Sequence, residues 1–178
     1  MVISGPSGVG KDTIARELCA NDTRFVLSRS WTTRPRRPSD DDESYTFVTR
    51  PEFEARAAGG GFLEWATYHD NLYGTPTPDP ADARHLVLNI ELQGARLIAE
   101  GQPDSFLLLL EPPHDEALEH RLRGRGDSEE AVQRRLATAL EELAEGRKIA
   151  HAVVINDDLT RAVAEVRRIL EDRLAGSN

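Results

Sequence analysis

A glycine-rich stretch near the N-terminus constrains the fold of this chain more than any other feature. It runs from Gly5 to Thr13, directly after the apolar pair Val2-Ile3, and matches the pattern G-x-x-x-x-G-K. In that pattern the glycines let backbone N–H groups point at a polyphosphate, and the lysine reaches the outer phosphates. The pattern predicts a strand, a loop that binds a nucleoside triphosphate, and a helix. The expected contacts of this nucleotide are Gly5, Pro6, Ser7, Gly8, Val9, Gly10, Lys11, Asp12 and Thr13.

One position of this loop departs from the pattern. The residue after the lysine is usually Ser or Thr, whose hydroxyl binds Mg²⁺, but here it is Asp12, followed by Thr13. A carboxylate is itself a ligand that Mg²⁺ accepts, so Asp12 is a candidate metal ligand for an ion bound with the nucleotide. The alternative is that its charge repels the phosphates.

Composition narrows the possible partners. With 178 residues, 39% hydrophobic and 30% charged, the chain suits one folded domain, and its formal net charge of -9 argues against a nucleic-acid or anionic-membrane surface. Its lone cysteine, Cys19, cannot form an internal disulfide, and its longest apolar run, Phe106-Leu110, is too short to span a membrane. We therefore expect a cytoplasmic protein with small anionic ligands, which suit its local clusters of arginine.

Apolar runs of strand length alternate with helical patterns along most of the chain. This alternation is typical of an α/β fold, here a P-loop NTPase-type parallel sheet flanked by helices. The expected strands are Val2-Ile3, Phe25-Leu27, Leu86-Ile90, Phe106-Leu110 and Ala152-Ile155, and the expected helices are Lys11-Ala20, Leu92-Glu100, Asp115-Leu122, Ser128-Arg147 and Leu159-Ala175.

The sequence pattern changes between Ser30 and Thr75. Two stretches of alternating, aromatic-rich sequence, 45–48 and 62–68, flank a short helical pattern over about 51–58. They predict a small inserted lobe of mixed or antiparallel strands. We expect a single domain over 1–178, with a core (1–29, 76–120 and 147–178), this lobe at 30–75, and a helical lid at 121–146.

The order of the motifs resembles that of the guanylate kinases, and the similarity extends from Val2 to about Ile169. The phosphate loop is joined by further pieces in the family's order. These are Ser30-Trp31-Thr32-Thr33-Arg34, Tyr45-Thr46-Phe47-Val48, Phe62-Leu63-Glu64-Trp65-Ala66, Tyr73-Gly74-Thr75, Gln93-Gly94, Arg121-Leu122, Gly124-Arg125-Gly126, Arg135-Leu136 and Ile155-Asn156-Asp157-Asp158. The resemblance implies ATP and GMP as substrates, with Mg²⁺, and an oligomeric state that the sequence does not reveal.

The inserted lobe carries the side chains that a nucleoside monophosphate requires. Arginine forks suit phosphate, and tyrosine hydroxyls can donate to the same group, although a solvated basic loop is the plainer alternative. Glu64 could accept hydrogen bonds from guanine, or could face solvent from an edge strand. The GMP-binding residues that the resemblance implies are Ser30, Arg34, Arg37, Tyr45, Glu64, Tyr73, Thr75 and Glu91.

Phosphoryl transfer depends on cationic groups that neutralise the transferring phosphoryl group and hold it in line. Arg121 and Arg125 are four residues apart, which suits one helical face, and Arg135 follows on the next helix. With Lys11 they are the predicted catalytic residues. The resemblance adds Asn156 as a contact of the donor adenine.

Several departures from the family pattern keep other functions open. The central strand ends in Asn89-Ile90-Glu91 instead of two aspartates, segment 38–44 is rich in Asp, and the link 76–85 contains three prolines. A related kinase of another phosphorylated acceptor, such as ribose 1,5-bisphosphate, is the nearest alternative. A non-catalytic guanylate-kinase-like interaction domain is the third, although such domains typically lose the phosphate loop or the lid arginines.

Overall fold

The computed structural model of the protein describes residues 1–37, 40, 43, 45–68, 70–124 and 128–176, and folds them around a five-stranded parallel sheet. The strands of this sheet lie in the order β2-β7-β1-β8-β9. Their bounds are β1 Val2–Ser4, β2 Phe25–Leu27, β7 His85–Asn89, β8 Leu107–Glu111 and β9 Ala152–Ile155. The helices are α1 Lys11–Asn21, α2 Arg50–Ala58, α3 Leu92–Gly101, α4 Asp115–Arg123, α5 Glu129–Ile149 and α6 Leu159–Ala175. The predicted parallel sheet flanked by helices is therefore confirmed.

Helices cover both faces of this sheet. Successive residues of a strand point to opposite faces, and on β1 Ile3 joins the cluster formed with α1 and α6, whereas Val2 joins the cluster formed with α3. All of β8 is buried, as expected for a central parallel strand whose two faces both meet helices. The apolar runs are thus explained by two cores, one on each side of the sheet.

A second, smaller sheet occupies the segment predicted as the inserted lobe, 30–75, and extends one residue beyond it to Pro76. Its order is β4-β3-β6-β5, and its bounds are β3 Trp31–Thr32, β4 Thr46–Phe47, β5 Phe62–Tyr68 and β6 Asn71–Pro76. It is mixed, because β3 pairs in parallel with β4 and antiparallel with β6. β5 and β6 form an antiparallel hairpin. The helix between its strands, α2, begins with a capping box in which Thr49 and Glu52 satisfy each other's backbone N–H groups.

Two strands of this small sheet, β3 and β6, escaped the sequence analysis, and some predicted bounds need correction. The strand expected at Leu86-Ile90 runs from His85 to Asn89, and the one expected at Phe106-Leu110 runs from Leu107 to Glu111. Residues 77–84 contain no helix, in agreement with the short, proline-containing link. Among the helices of the described segments, none combines the length and the apolar character that a membrane span requires.

Candidate active site

The phosphate loop joins the end of β1 to the start of α1. Gly10 precedes the helix with φ of 101°, in the left-handed region where glycine is favoured. A Cβ atom on Gly10 would lie 2.4 Å from the side-chain nitrogen of Asn156, and one on Gly5 would lie 2.4 Å from the carbonyl oxygen of Leu110. These glycines therefore allow the loop to pack closely on β8 and on the turn after β9.

Lys11 is tethered to the loop that it follows. Its Nζ donates hydrogen bonds to the carbonyl oxygens of Gly5, at 2.6 Å, and Pro6, at 3.1 Å. Arg135 of α5 approaches the same loop, with Nη1 3.4 Å from the hydroxyl oxygen of Ser7. Two predicted catalytic cations are thus held at the loop by contacts that phosphate oxygens can replace.

Arg121 and Asn156 contact the loop from a different direction. The Asn156 side chain is buried and donates to the carbonyl oxygen of Val9 at 2.8 Å. Arg121 donates to the same oxygen at 3.2 Å and to the carbonyl oxygen of Asn156 at 2.8 Å. In this structure both residues hold the loop backbone, so their predicted roles in transfer and adenine contact stay predictions. Arg125 lies outside the described residues.

A cavity of about 360 Å³ separates the phosphate loop from the small sheet. It brings together most of the residues predicted for the two substrates. The predicted residues that line it are Gly5, Ser7, Gly8, Gly10, Lys11, Asp12, Arg34, Arg37, Tyr45, Tyr73, Glu91 and Arg135. The sequence analysis did not assign Asp40, Tyr68, Asn71 and Ile90, which also line it, and treated Asn89 only as a departure from the family pattern.

A cluster of side chains suited to bind a phosphate group lies on the small-sheet side of this cavity. The Arg34 side chain is buried, and its guanidinium carbon lies 5.4 Å from the ring centroids of both Tyr45 and Phe47. The rings of Tyr45 and Tyr73 meet edge to face at 6.0 Å, and Arg37 is exposed at the rim. A solvated basic loop is therefore the wrong description for Arg34, because its cation is enclosed by aromatic rings.

Glu64 and Thr75 form a buried polar pair. They are cross-strand neighbours on β5 and β6, and the Thr75 hydroxyl donates to Oε1 of Glu64 at 2.6 Å. Glu64 is only 8% exposed, so the alternative in which it faces solvent is wrong. Its other oxygen packs on Gly94 of α3, where a Cβ atom would approach within 3.0 Å. Burial, reinforced by the nearby charge of Glu91, raises the pKa of Glu64 to about 7.

Ser30, the other predicted guanine contact, is buried at the border of a second cavity of about 540 Å³. Asp12, Tyr45 and Asn89 line both cavities. These three residues therefore form a boundary that the two cavities share. Glu64 and Thr75 are buried and line neither cavity, so the predicted base-reading pair is not exposed to either space in this structure.

A buried carboxyl group of α5 was missed by the sequence analysis. Glu142 is 8% exposed and accepts a hydrogen bond from the hydroxyl of Tyr68. Burial raises its pKa, while the charge of Lys11 and the Tyr68 hydrogen bond oppose the rise. Its position was detectable, since it follows the buried Ala139 by three residues and precedes the buried Gly146 by four.

The surroundings of Asp12 are compatible with its predicted role as a metal ligand. Asp12 is exposed beside the loop, with Oδ1 3.5 Å from the amide nitrogen of Asn89 and Oδ2 2.9 Å from Nε of Arg16. The described part of the chain has no group of three or more His, Cys, Asp or Glu side chains that could hold an ion. Mg²⁺ in kinases needs only one or two carboxylates, with water and phosphate completing its shell. Asp12 fits that requirement.

The raised pKa of Glu64 predicts a pH dependence of base binding. A charged carboxylate accepts hydrogen bonds from donors such as the guanine N1–H through both oxygens, whereas the protonated form is uncharged, turns one oxygen into a donor and accepts more weakly. We expect the inhibition constant of guanosine, which has no phosphate to titrate, to rise as the pH falls below about 7, by up to about tenfold per pH unit. Inhibition measured from pH 5.5 to 8 tests this, and Glu64→Gln should give a flat profile.

The same shift has a stability consequence with a defined sign. Because the pKa rises from 4.5 to about 7 on folding, the folded state binds this proton more tightly. The resulting stabilisation is fully present below about pH 4.5 and is lost as the pH rises through 7. Denaturant unfolding of the wild type and Glu64→Gln across this window should show that difference, and parallel curves would contradict it.

Comparison with known proteins shows what the chain is similar to. The family model described as guanylate kinase matches residues 1–173. The guanylate kinase of Symbiobacterium thermophilum is 46% identical over 176 residues, covering 96% of this chain and 83% of the relative. That of a Synechococcus strain is 46% identical over 172 residues, covering 93% and 91%. The crystal structure of guanylate kinase from Anaplasma phagocytophilum has a TM-score of 0.79 at 28% identity, covering 97% of this chain and 84% of that one.

Proposed function

This chain belongs to the guanylate kinase family, and we propose that the cavity between its phosphate loop and its small sheet is where ATP phosphorylates GMP. As a guanylate kinase, it transfers the terminal phosphoryl group of ATP to GMP and produces ADP and GDP. The main support for this location is that residues proposed to bind both substrates line the same cavity. Lys11 and Arg135 line it with Arg34, Tyr45 and Tyr73.

The donor end is the phosphate loop. Its backbone N–H groups, with the N-terminus of α1, are suited to the charge of a polyphosphate. Asn156 and Arg121 support this end by bonding to the Val9 carbonyl. Arg121 can also serve the transferring phosphoryl group if it exchanges these carbonyl contacts for phosphate oxygens, and Arg125 completes the proposed set of cations.

The acceptor end is the small sheet. Arg34 and Arg37 supply forked donors for the phosphate of GMP, and the hydroxyls of Tyr45 and Tyr73 supply two more. Glu64 is proposed to accept from the N1–H and the exocyclic amine of guanine, an edge that adenine does not offer. Ser30 and Thr75 complete the base contacts, while Glu91 lies between the two ends on the cavity wall.

Between the two ends, the protein's contribution to chemistry is electrostatic. Phosphoryl transfer develops charge on the oxygens of the transferring group and needs the attacking and leaving oxygens in line. Lys11 and Arg135 supply positive charge at that point, and binding both substrates excludes water from the space between them. Glu64 does not line the cavity in this structure, so guanine can reach it only after the groups between them shift, and closure of a kinase on its substrates is one movement that could bring this about.

Mg²⁺ is proposed to bind with ATP. Asp12 would hold it, either directly or through water, and the Asn89 side chain is close enough to support that carboxylate. The chemistry supplied by the ion is neutralisation of charge on the outer phosphates of ATP. The core, lobe and lid boundaries, and the cytoplasmic location expected from composition, stay predictions.

The test is a coupled ADP-release assay with ATP and Mg²⁺. GMP and dGMP should be turned over, and AMP, UMP and ribose 1,5-bisphosphate should not. Relatives named guanylate kinase over nearly the full chain do not favour the sugar phosphate or a non-catalytic domain. Turnover of ribose 1,5-bisphosphate in the absence of GMP turnover would overturn the proposal.

A further inference from the structure

Asp40, from the Asp-rich segment, forms a two-point ion pair with Arg34. Its Oδ2 lies 2.9 Å from Nη1 of Arg34, and its Oδ1 lies 3.0 Å from Nη2. Both side chains are largely enclosed, with 8% of the Arg34 side chain and 12% of the Asp40 side chain exposed. Both residues also line the cavity. The pair is therefore part of the acceptor site and differs from a solvated surface bridge.

The geometry of the pair leaves one edge of the guanidinium available. A guanidinium carries five N–H donors, and it can bind an oxyanion along either its Nη1–Nη2 edge or its Nε–Nη2 edge. Asp40 occupies the first edge, and the remaining Nη1 hydrogen is used by the carbonyl oxygen of Pro35 at 2.8 Å. Within the described residues, Nε–H and the second Nη2 hydrogen have no partner. The second edge is thus complete and available for a phosphate.

Asp40 makes further hydrogen bonds, and these make it difficult for a substrate phosphate to displace it from Arg34. The backbone N–H of Arg37 donates to its Oδ2 at 2.6 Å, and the Asp40 N–H returns a bond to the carbonyl oxygen of Arg37 at 3.0 Å. Burial alone would raise the pKa of Asp40, but the hydrogen bonds from Arg34 and Arg37 lower it below its usual value. The carboxylate consequently stays charged, and removing it from three donors would leave a partly buried anion unpaired.

We propose that Asp40 positions Arg34 for the acceptor phosphate by binding the Nη1–Nη2 edge of the guanidinium and presenting the Nε–Nη2 edge to GMP. This rests on the proposed function, because it assigns the phosphate of the acceptor to Arg34. Asp40 does not touch the substrate in this arrangement. Asp40 also bonds to the backbone of Arg37, so one carboxylate holds both the Arg34 side chain and the backbone of the second phosphate arginine.

The test is Asp40→Asn, which keeps the size of the side chain but replaces one acceptor oxygen by an NH₂ group that faces a donor. We expect the KM for GMP to rise about ten- to a hundredfold, the effect of losing a charge-assisted, two-point contact. The kcat, the KM for ATP and the inhibition constant of guanosine should stay within about twofold, because none of them depends on the acceptor phosphate. Asp40→Glu restores two acceptor oxygens and should recover part of the loss.

A matched control is Asp82→Asn. Asp82 makes a similar two-point pair with Arg84, at 2.9 and 2.7 Å, and also accepts from the backbone N–H of Arg84, but it lines neither cavity. It should leave the KM for GMP unchanged. A lower KM for GMP in Asp40→Asn would show that Asp40 competes with the phosphate, and an unchanged KM would show that it is a bystander. An equal loss for guanosine, or no recovery by Glu, would make its role structural, and each of these results would overturn the inference.

These results can be separated from failure of the proposed function. If the wild type turns over GMP and Asp40→Asn matches it, only the inference is overturned. If the wild type turns over a different phosphorylated acceptor, the proposed function is overturned. The Asp40 comparison can then be repeated with that acceptor, since the arrangement recognises the phosphate and not the base.

Discussion

Replacing Lys11 by methionine should lower the kcat for GDP formation on the order of a thousandfold. Lys11 is the cation that follows the phosphate loop, and its ammonium group is held 2.6 Å from the carbonyl oxygen of Gly5. Methionine keeps an unbranched chain of similar length but removes the charge that stabilises the transferring phosphoryl group. Steady-state rates at saturating ATP and GMP measure this effect.

The same variant should bind GMP almost normally, because the proposed acceptor contacts lie on the small sheet. Lys148→Met is the matched control. Lys148 is the other lysine of the chain, exposed near the end of α5 and paired with Glu145. It should leave the kcat within about twofold of the wild type. A Lys11→Met enzyme that retained more than about a tenth of the wild-type kcat would remove Lys11 from the proposed catalytic set.

Replacing Glu64 by glutamine should lower kcat/KM for GMP on the order of a thousandfold and leave the KM for ATP nearly unchanged. Glutamine preserves the shape and can still accept from the Thr75 hydroxyl, but it places an NH₂ donor where guanine also presents donors. In a site that hydrogen-bonds its substrate, a buried polar group left without a partner weakens binding far more than the loss of contact area does. Initial rates across GMP concentrations, at fixed saturating ATP, measure the loss.

A surface change of the same kind controls for the chemistry of the substitution. Glu171 is exposed on α6 and paired with Arg24, so Glu171→Gln should have kinetics close to the wild type. If Glu64→Gln weakened ATP and GMP use equally, the result would show that Glu64 supports the fold of the hairpin β5–β6 and does not read the base.

Much of the core could be predicted because its signals are local. The loop pattern after Val2-Ile3 predicts a strand, a phosphate site and a helix, and the structure places a strand before it and a helix after it. Short apolar runs predicted the parallel strands within one residue at most ends, because a strand buried on both faces must be continuously apolar. The periodicity of α6 predicted both of its ends correctly.

The small sheet was harder to predict. β6 contains Gly74 and ends at Pro76, and such residues usually indicate turns, whereas β3 is only two residues long. Gly74 is required here because a Cβ atom would lie 2.9 Å from the ring of Phe53. That contact joins residues far apart in the sequence, so no local pattern reports it. The pairing of β3 with both β4 and β6 likewise joins residues that are distant in the sequence.

The donor end could thus be predicted from short sequence motifs. The order of Gly, Lys and apolar residues determines the loop and the following helix, because both depend on the backbone conformation of neighbouring residues. The motifs also carried the family resemblance, since the pieces keep their order along the chain. Two properties depend on long-range packing instead. These are the burial of Glu64 against Gly94 and the presence of Glu142 beside Tyr68. Each arises when separate segments come together and remove water from a charged group, and that desolvation has no counterpart in the linear order of residues.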